Sequence, residues 1–125
     1  MAKLARETDR LVVRLSRLEQ GWLLAFKKAK IGGFWIAWSA MQSAAIVDDP
    51  WGMVQELGGT QGQSLVVGAI LQSSAGAVLA VVRRSTPRAV LVALKEGPVA
   101  GWLISDDHPE ATLKRLGLPL RTISK

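Results

Sequence analysis

The sequence predicts a mainly β, single-domain protein that ends in one amphipathic helix. Short apolar runs, separated by glycine, proline and polar turn residues, recur along the chain, as is typical of a protein built from many short strands. Residues 77–116 read in order as strand, turn, strand, short strand and helix. Of the 125 residues, 49% are apolar, so the chain can bury a core.

Seven segments have the pattern of β-strands. The first, residues 10–16, alternates, and places Leu11, Val13 and Leu15 on one face. The other six are apolar runs bounded by turn residues, at 34–38, 44–47, 64–71, 78–82, 89–94 and 101–105. Because a curled sheet of seven strands has two open ends, we expect the terminal helix to cover one of them and to bury apolar area there.

Helices are predicted in two connections and at the C-terminal end of the domain. Apolar residues recur at helical spacing within residues 18–28. Asp49 and Pro50 have the chemistry of a helix cap and of a first helical residue. The final helix begins either with a capping box formed by Asp107 and Glu110, or with His108 as the cap before Pro109. Gly117 is the predicted glycine stop at its end. We expect residues 1–9 and 118–125 to be tails around a domain of residues 10–117.

The formal charge of +6 is unevenly distributed. Residues 1–30 have a net charge of +5, residues 31–82 of −3 and residues 83–125 of +4. Basic ends favour nucleic acid, anionic lipid or an acidic protein as a partner, and a solvated basic surface is the simpler interpretation. The chain has no cysteine, which excludes disulfides, thiol catalysis and cysteine-ligated metals and is compatible with a reducing compartment.

Two uncharged stretches, residues 31–47 and 57–82, raise the alternative of a two-span membrane hairpin. The second is 26 residues long, and about 20 apolar residues cross a bilayer. Basic residues on the outer flanks would keep both ends of such a holin-like hairpin in the cytoplasm. Glutamines, serines and glycines interrupt these stretches, so we favour strands. The charged first thirty residues do not resemble a secretory signal.

The order and spacing of several stretches resemble an uncharacterised group of small, mostly actinobacterial proteins with a pleckstrin-homology-like (PH-like) fold. The resemblance covers about residues 10–116 and implies a seven-stranded bent barrel or sandwich capped by the last helix, with no activity attached. His108 interrupts the Asp-Asp-Pro-Glu pattern of the group. The matching stretches are Leu11-Val12-Val13 with Leu15 and Leu18-Glu19, Ile46-Val47-Asp48-Asp49-Pro50-Trp51, Ala80-Val81-Val82-Arg83 with Pro87-Arg88-Ala89-Val90, and Leu103-Ile104-Ser105 with Pro109-Glu110-Ala111-Thr112-Leu113.

Six basic residues form the candidate binding set. Three lie between the first two predicted strands, a connection whose basic residues grip inositol phosphates in lipid-binding PH domains, and three could contact the same phosphate from a second side. The second predicted strand carries no basic residue, so solvated loops are the simpler interpretation. The set consists of Lys27, Lys28, Lys30, Arg83, Arg84 and Arg88.

The remaining polar and aromatic groups are interpreted structurally. Asp48 and Asp49 fit a turn and a helix cap better than a cation site. His108 beside Asp106 and Asp107 fits a helix start better than a catalytic base. The five tryptophans fit core packing better than stacking platforms for single-stranded nucleic acid. No catalytic residue, metal ligand or cofactor is therefore predicted.

These observations favour a non-enzymatic PH-like binding module in the cytoplasm. The expected occupant is a protein partner or a second copy of the chain, because edge strands can pair with another chain. An anionic head group at the inner membrane face is a further option, and no small-molecule substrate is implied. The alternatives are the two-span membrane hairpin and a basic nucleic-acid-binding barrel.

Overall fold

The computed structural model of the chain describes residues 3–7, 9–14, 34–56, 65–73, 76–95, 100–120 and 122–123. The strands in these ranges are β1 (Lys3–Glu7), β2 (Arg10–Arg14), β3 (Phe34–Ala37), β4 (Met41–Val47), β5 (Leu65–Ser73), β6 (Gly76–Arg83), β7 (Ala89–Leu94), β8 (Gly101–Ser105) and β9 (Thr122–Ile123). The helices are α1 (Pro50–Glu56) and α2 (Pro109–Arg115), with a single 3-10 turn (Trp38–Ala40) between β3 and β4. The prediction of a mainly β protein is confirmed.

The seven predicted strands are present as β2 to β8, and β7 and β8 have the predicted bounds. The structure differs at the two predicted tails. Residues 3–7 form β1, which pairs along its whole length with β2, so the prediction of a frayed start is wrong there. Residues 122–123 form β9, which pairs with β4. Leu4 is the only large apolar residue of β1, so its composition gave no strand signal; pairing with β2 and burial of Leu4 supply the stabilisation.

The strands of the described residues form two sheets. The first is antiparallel, in the order β1-β2-β3, and the second has the order β5-β6-β8-β7-β4-β9. In the second sheet β8 pairs in parallel with β6 and antiparallel with β7, so β6 and β7 are not neighbours although they follow each other in sequence. All five residues of β8 are buried, as expected for a central strand covered on both faces.

The six-stranded sheet has an apolar core on each face. Alternating residues of β7 and β8 separate the two cores: Trp102 and Ile104 face one, and Leu103 faces the other. The first core is shared with the three-stranded sheet through Leu4, Leu11 and Val13, and with α2 and its C-cap residue through Leu113 and Leu116. The second core is covered by α1 through Val54, Trp51 and Met53.

Both helices have defined caps. The carboxylate of Asp49 accepts a hydrogen bond from the Gly52 backbone N–H at 3.1 Å, which confirms Asp49 as the cap of α1. At the end of α2, Gly117 has a φ of +74°. The backbone N–H of Gly117 donates to the Lys114 carbonyl and that of Leu118 to the Leu113 carbonyl, which is a complete Schellman motif. The predicted glycine stop is therefore confirmed.

The second uncharged stretch contains two strands, β5 and β6, and they form an antiparallel hairpin. Within the described ranges, no helix is both long and apolar enough to cross a membrane. The helix predicted in residues 18–28 lies outside the described residues.

Candidate functional site

The six predicted basic residues do not form one described cluster. Lys27, Lys28 and Lys30 lie outside the described residues. Arg83 ends β6 and is half-buried, and its backbone N–H donates to Ser105 Oγ at 2.9 Å. Arg84 is exposed in the turn after β6.

Arg88 is held by two carboxylates. Its guanidinium lies 2.5 Å from Glu110 Oε2 and 3.3 Å from Asp48 Oδ1. The hydrogen bond that Arg88 donates to the Glu110 carboxylate raises the pKa of Arg88 above its ordinary value, and the charge of Glu110 and the Asp48 carboxylate add to this effect. The pKa of Glu110 is lowered, mainly by its own backbone N–H and then by Arg88. Arg88 therefore joins the β4–α1 turn to the first turn of α2, and a phosphate would have to displace these carboxylates.

Asp106 organises the start of α2. One carboxylate oxygen accepts the His108 backbone N–H at 2.8 Å, and the other accepts the Thr112 hydroxyl. His108 is the N-cap residue but makes no side-chain capping bond, and the box predicted between Asp107 and Glu110 is replaced by the contacts of Asp106. Because Asp106 binds the main chain of His108, it does not orient the imidazole for catalysis.

The two adjacent aspartates point to different partners. The carboxylate of Asp48 accepts from Arg88, whereas that of Asp49 caps α1. Among the described residues there is no group of three side chains suited to hold a metal ion. The interpretation of this pair as a turn and a helix cap is confirmed.

Four of the five tryptophans are described, and they divide between the core and the surface, whereas Trp22 lies outside the described residues. Trp102 is 2% exposed, and Trp38 and Trp51 pack against the two cores, as predicted. Trp35 is 61% exposed, so the prediction of core packing is wrong for this residue. The Arg10 guanidinium carbon lies 5.2 Å from the Trp35 ring centroid, within the range of a cation–π contact.

A second arginine–tryptophan pair involves a residue of β1 on the parity of the buried Leu4 and Leu11. The guanidinium carbon of Arg6 lies 4.1 Å from the ring centroid of Trp38. Both pairs belong to the β1-β2-β3 sheet or to the turn that follows it, and the Trp38 backbone N–H donates to the Asp9 carbonyl at 2.7 Å. The sequence indicates where Arg10 lies, because the alternation that buries Leu11 places Arg10 on the opposite face of the sheet.

The outer edge of β5 is the other notable surface. β5 is the terminal strand of the six-stranded sheet, and no strand of the described ranges pairs with its outer side. Its sequence, LVVGAILQS, is nine residues long and contains no charged residue. A shift of register between Val67 and Ala69 places one irregularity at Gly68. The opposite edge of the same sheet is β9, which has only two residues.

No family model, curated protein or solved structure matches the chain. The fold and these two surfaces define the class of molecule: a two-sheet β protein with an aromatic and basic face and one long apolar sheet edge.

Proposed function

We propose that this chain is a non-enzymatic, PH-like binding module that associates with a second copy of itself by pairing strands at the β5 edge. The observation that carries the proposal is the position of β5, a nine-residue uncharged strand at the end of a sheet. Roughly half of the backbone N–H and C=O groups of an edge strand point away from its sheet and can pair with another strand.

The other sheet edges are less suited to strand pairing. β9 is two residues long, and short edge strands limit pairing. β3 has four residues, and β1 carries three charged residues among its five. Charged side chains on an edge strand oppose pairing with another sheet. Among the edges that the structure describes, the β5 edge is therefore the one best suited to pair with an added strand.

The PH-like assignment is supported by the position of the last helix. Leu113 of α2 and Leu116, the C-cap residue that follows it, lie in the core that the two sheets share, so α2 packs against that core. Each of the seven predicted strand segments overlaps one of β2 to β8, and β1 and β9 are two strands that the resemblance does not imply. The proposed location is the cytoplasm.

The hydrogen bonds that the polar side chains make favour a binding role over catalysis. Asp106 and Thr112 are engaged with each other at the start of α2, and Asp49 caps α1. A head-group site at the predicted basic residues has less support, because Arg88 already carries two carboxylates. A protein partner, and first a second copy, is the occupant that these contacts favour.

Sedimentation velocity over a range of protein concentrations tests the proposal. We expect a reversible dimer, because an antiparallel β5–β5 pair is closed by a two-fold axis. Amide hydrogen exchange gives a second readout that needs no variant. Exchange at β5 should slow as the concentration rises, since the outward N–H groups become hydrogen-bonded.

Two lysine variants and one matched control complete the test. Ile70→Lys and Leu71→Lys alter neighbouring positions of β5, and neighbouring positions of a strand lie on opposite faces of a sheet. Each should weaken the dimer, because edge lysines oppose pairing and the two copies bring like charges together. Ala111→Lys adds the same charge at an exposed position of α2 and should leave the dimer intact. A protein that is monomeric at every concentration, or folded β5 variants that dimerise as well as the parent, would contradict the proposal.

A further inference from the structure

β4 lies near the end of the larger sheet but has the burial of an interior strand. Its inner side pairs with β7 from Met41 to Val47, and its sequence, MQSAAIV, contains no charged residue. The last four residues of β4 are each 5% exposed or less. Both of its faces are buried, since Ile46 belongs to the first core and Val47 to the second. This pattern is typical of strands from the middle of a sheet.

β9 is the neighbour that the structure describes on the outer side of β4. It pairs in parallel at two positions, Ile46 with Thr122 and Val47 with Ile123. Within the described ranges, no strand pairs with the outer side of residues 41–45. A two-residue strand offers few backbone groups to a further partner, whereas a seven-residue strand without charges offers many. The sheet therefore ends in the less adhesive of these two strands.

The segment between α2 and β9 is anchored at its beginning. Leu118 packs against the first core, and its backbone N–H donates to the Leu113 carbonyl at 2.9 Å. Pro119 and Leu120 follow and are exposed, Leu120 to 62%. Parallel pairs are also slightly less stable per residue than antiparallel pairs. Separation of β9 from β4 therefore breaks a two-residue pairing and leaves the contacts of Leu118 with α2 and the core in place.

We infer that β9 covers a second self-association edge, and that its release lets β4 pair with β4 of a second copy. The chemistry of this edge selects its occupant, because a row of backbone N–H and C=O groups is matched by another extended strand. A second copy fits, since the uncharged sequence of β4 brings no like charges together when two copies meet. An antiparallel β4–β4 pair is closed by a two-fold axis.

β9 thereby limits the size of the assembly. While the β4 edge is covered, a chain that pairs through β5 stops at a dimer. Once the β4 edge is open, each chain has two edges that can pair, so dimers can join end to end into a linear assembly. This consequence rests on the proposed β5 pairing, whereas the pairing of β4 after release of β9 does not.

Sedimentation velocity of the intact chain carrying Thr122→Pro and Ile123→Pro tests the inference. Proline has no N–H and is excluded from paired strand positions, so this variant should release β9. We expect its sedimentation coefficient to rise with concentration beyond that of the parent dimer. When Leu71→Lys also blocks β5, the same release should give a dimer and nothing larger. Thr122→Gly with Ile123→Gly weakens β9 without proline, and it decides the result if the proline variant does not fold.

Gln42→Lys assigns the new contact to β4. Gln42 is exposed, and a lysine on an edge strand opposes pairing, so this change should suppress the extra assembly of the β9 variants. Leu120→Ala removes the exposed side chain before β9 and should assemble like the parent. Circular dichroism identifies the folded variants.

Two results would overturn the inference. One is that folded β9 variants assemble no further than the parent, and the other is that Gln42→Lys leaves their extra assembly unchanged. A monomeric parent whose β9 variant forms a dimer that Gln42→Lys abolishes would support this inference and contradict only the proposed β5 pairing.

Discussion

Arg115 donates a hydrogen bond from Nη2 to the backbone carbonyl oxygen of Leu4, at 2.8 Å. This contact joins the last turn of α2 to the first strand of the chain, across 111 positions of sequence. Leu4 itself is 2% exposed and belongs to the core that α2 covers. The N-terminal strand is therefore part of the folded domain, held both by its side chain and by its main chain.

Replacing Arg115 with alanine should destabilise the domain and loosen β1 first. A hydrogen bond from a charged donor contributes about 1.5–3 kcal/mol when it is well shielded, and about 1 kcal/mol is expected for this partly exposed arginine. Urea denaturation measures the loss, and amide exchange at β1 shows where it acts. Lys114→Ala removes the neighbouring exposed side chain and should change neither quantity; equal effects of the two variants would contradict the assignment.

The Arg88–Glu110 pair should make stability depend on pH in the acid range. The folded pKa of Glu110 lies below its ordinary value of 4.5, so its contribution is present above that value. As the pH falls through the lowered pKa, the carboxylate is protonated and the contribution is lost. Thermal unfolding followed from neutral to acid pH should show this decline.

Two substitutions test whether Glu110 causes this loss of stability at acid pH. Glu110→Gln removes the titrating group, so its stability should fall less than that of the parent as the pH is lowered. Asp107→Asn removes a nearby exposed carboxylate that makes no ion pair with Arg88, and it should keep the parent's slope. High salt should also reduce the difference between the parent and Glu110→Gln, because the pair is solvent-exposed.

Gly101→Ala should be strongly destabilising for its size. A Cβ at position 101 would lie 2.8 Å from the Val92 backbone oxygen, which is too close for a carbon atom. β8 would have to move away from β7, at a cost of about 1–3 kcal/mol for an overpacked core position. The midpoint of urea denaturation checks this, and a parent-like midpoint would show that the two strands can separate without cost.

Gly117→Ala should be destabilising for a different reason. The residue has a φ of +74°, and nothing lies within 4 Å of a Cβ built there, so only backbone strain opposes the change. The left-handed conformation costs an ordinary residue about 1–2 kcal/mol. Gly117→Asn should cost less, since asparagine tolerates that conformation. Equal stabilities for the alanine and asparagine variants would contradict this explanation.

The sequence predicted the strands wherever an apolar run carried its own signal. The run 89–94 became β7 at those bounds, because branched apolar residues fill a strand that is buried on both faces. β1 and β9 were not predicted, because the stability of each strand depends on its partner, which is β2 for β1 and β4 for β9. The insertion of β8 between β6 and β7 was also beyond local reasoning, because strand order is set by long-range packing.

The candidate site was predicted less well than the fold. Charge alone singled out Arg88, but its two carboxylate partners lie 40 and 22 positions away in sequence. The sequence predicts a core position for Trp35, because aromatic residues usually pack there. In the structure its neighbour Ile36 is half-buried, and Trp35 lies on the opposite, exposed face. The face of a strand is readable from sequence, but which face meets solvent depends on the sheet that packs below.

The placement of β8 has a consequence for biosynthesis. β6 and β7 leave the ribosome well before residues 101–105, yet each needs β8 as its neighbour. Until β8 has been translated, the β5–β6 hairpin and the β4–β7 pair lack the strand that joins them, and non-local pairing of this kind is slow and exposed to aggregation. The two parts of the larger sheet can therefore be joined only after residues 101–105 have emerged.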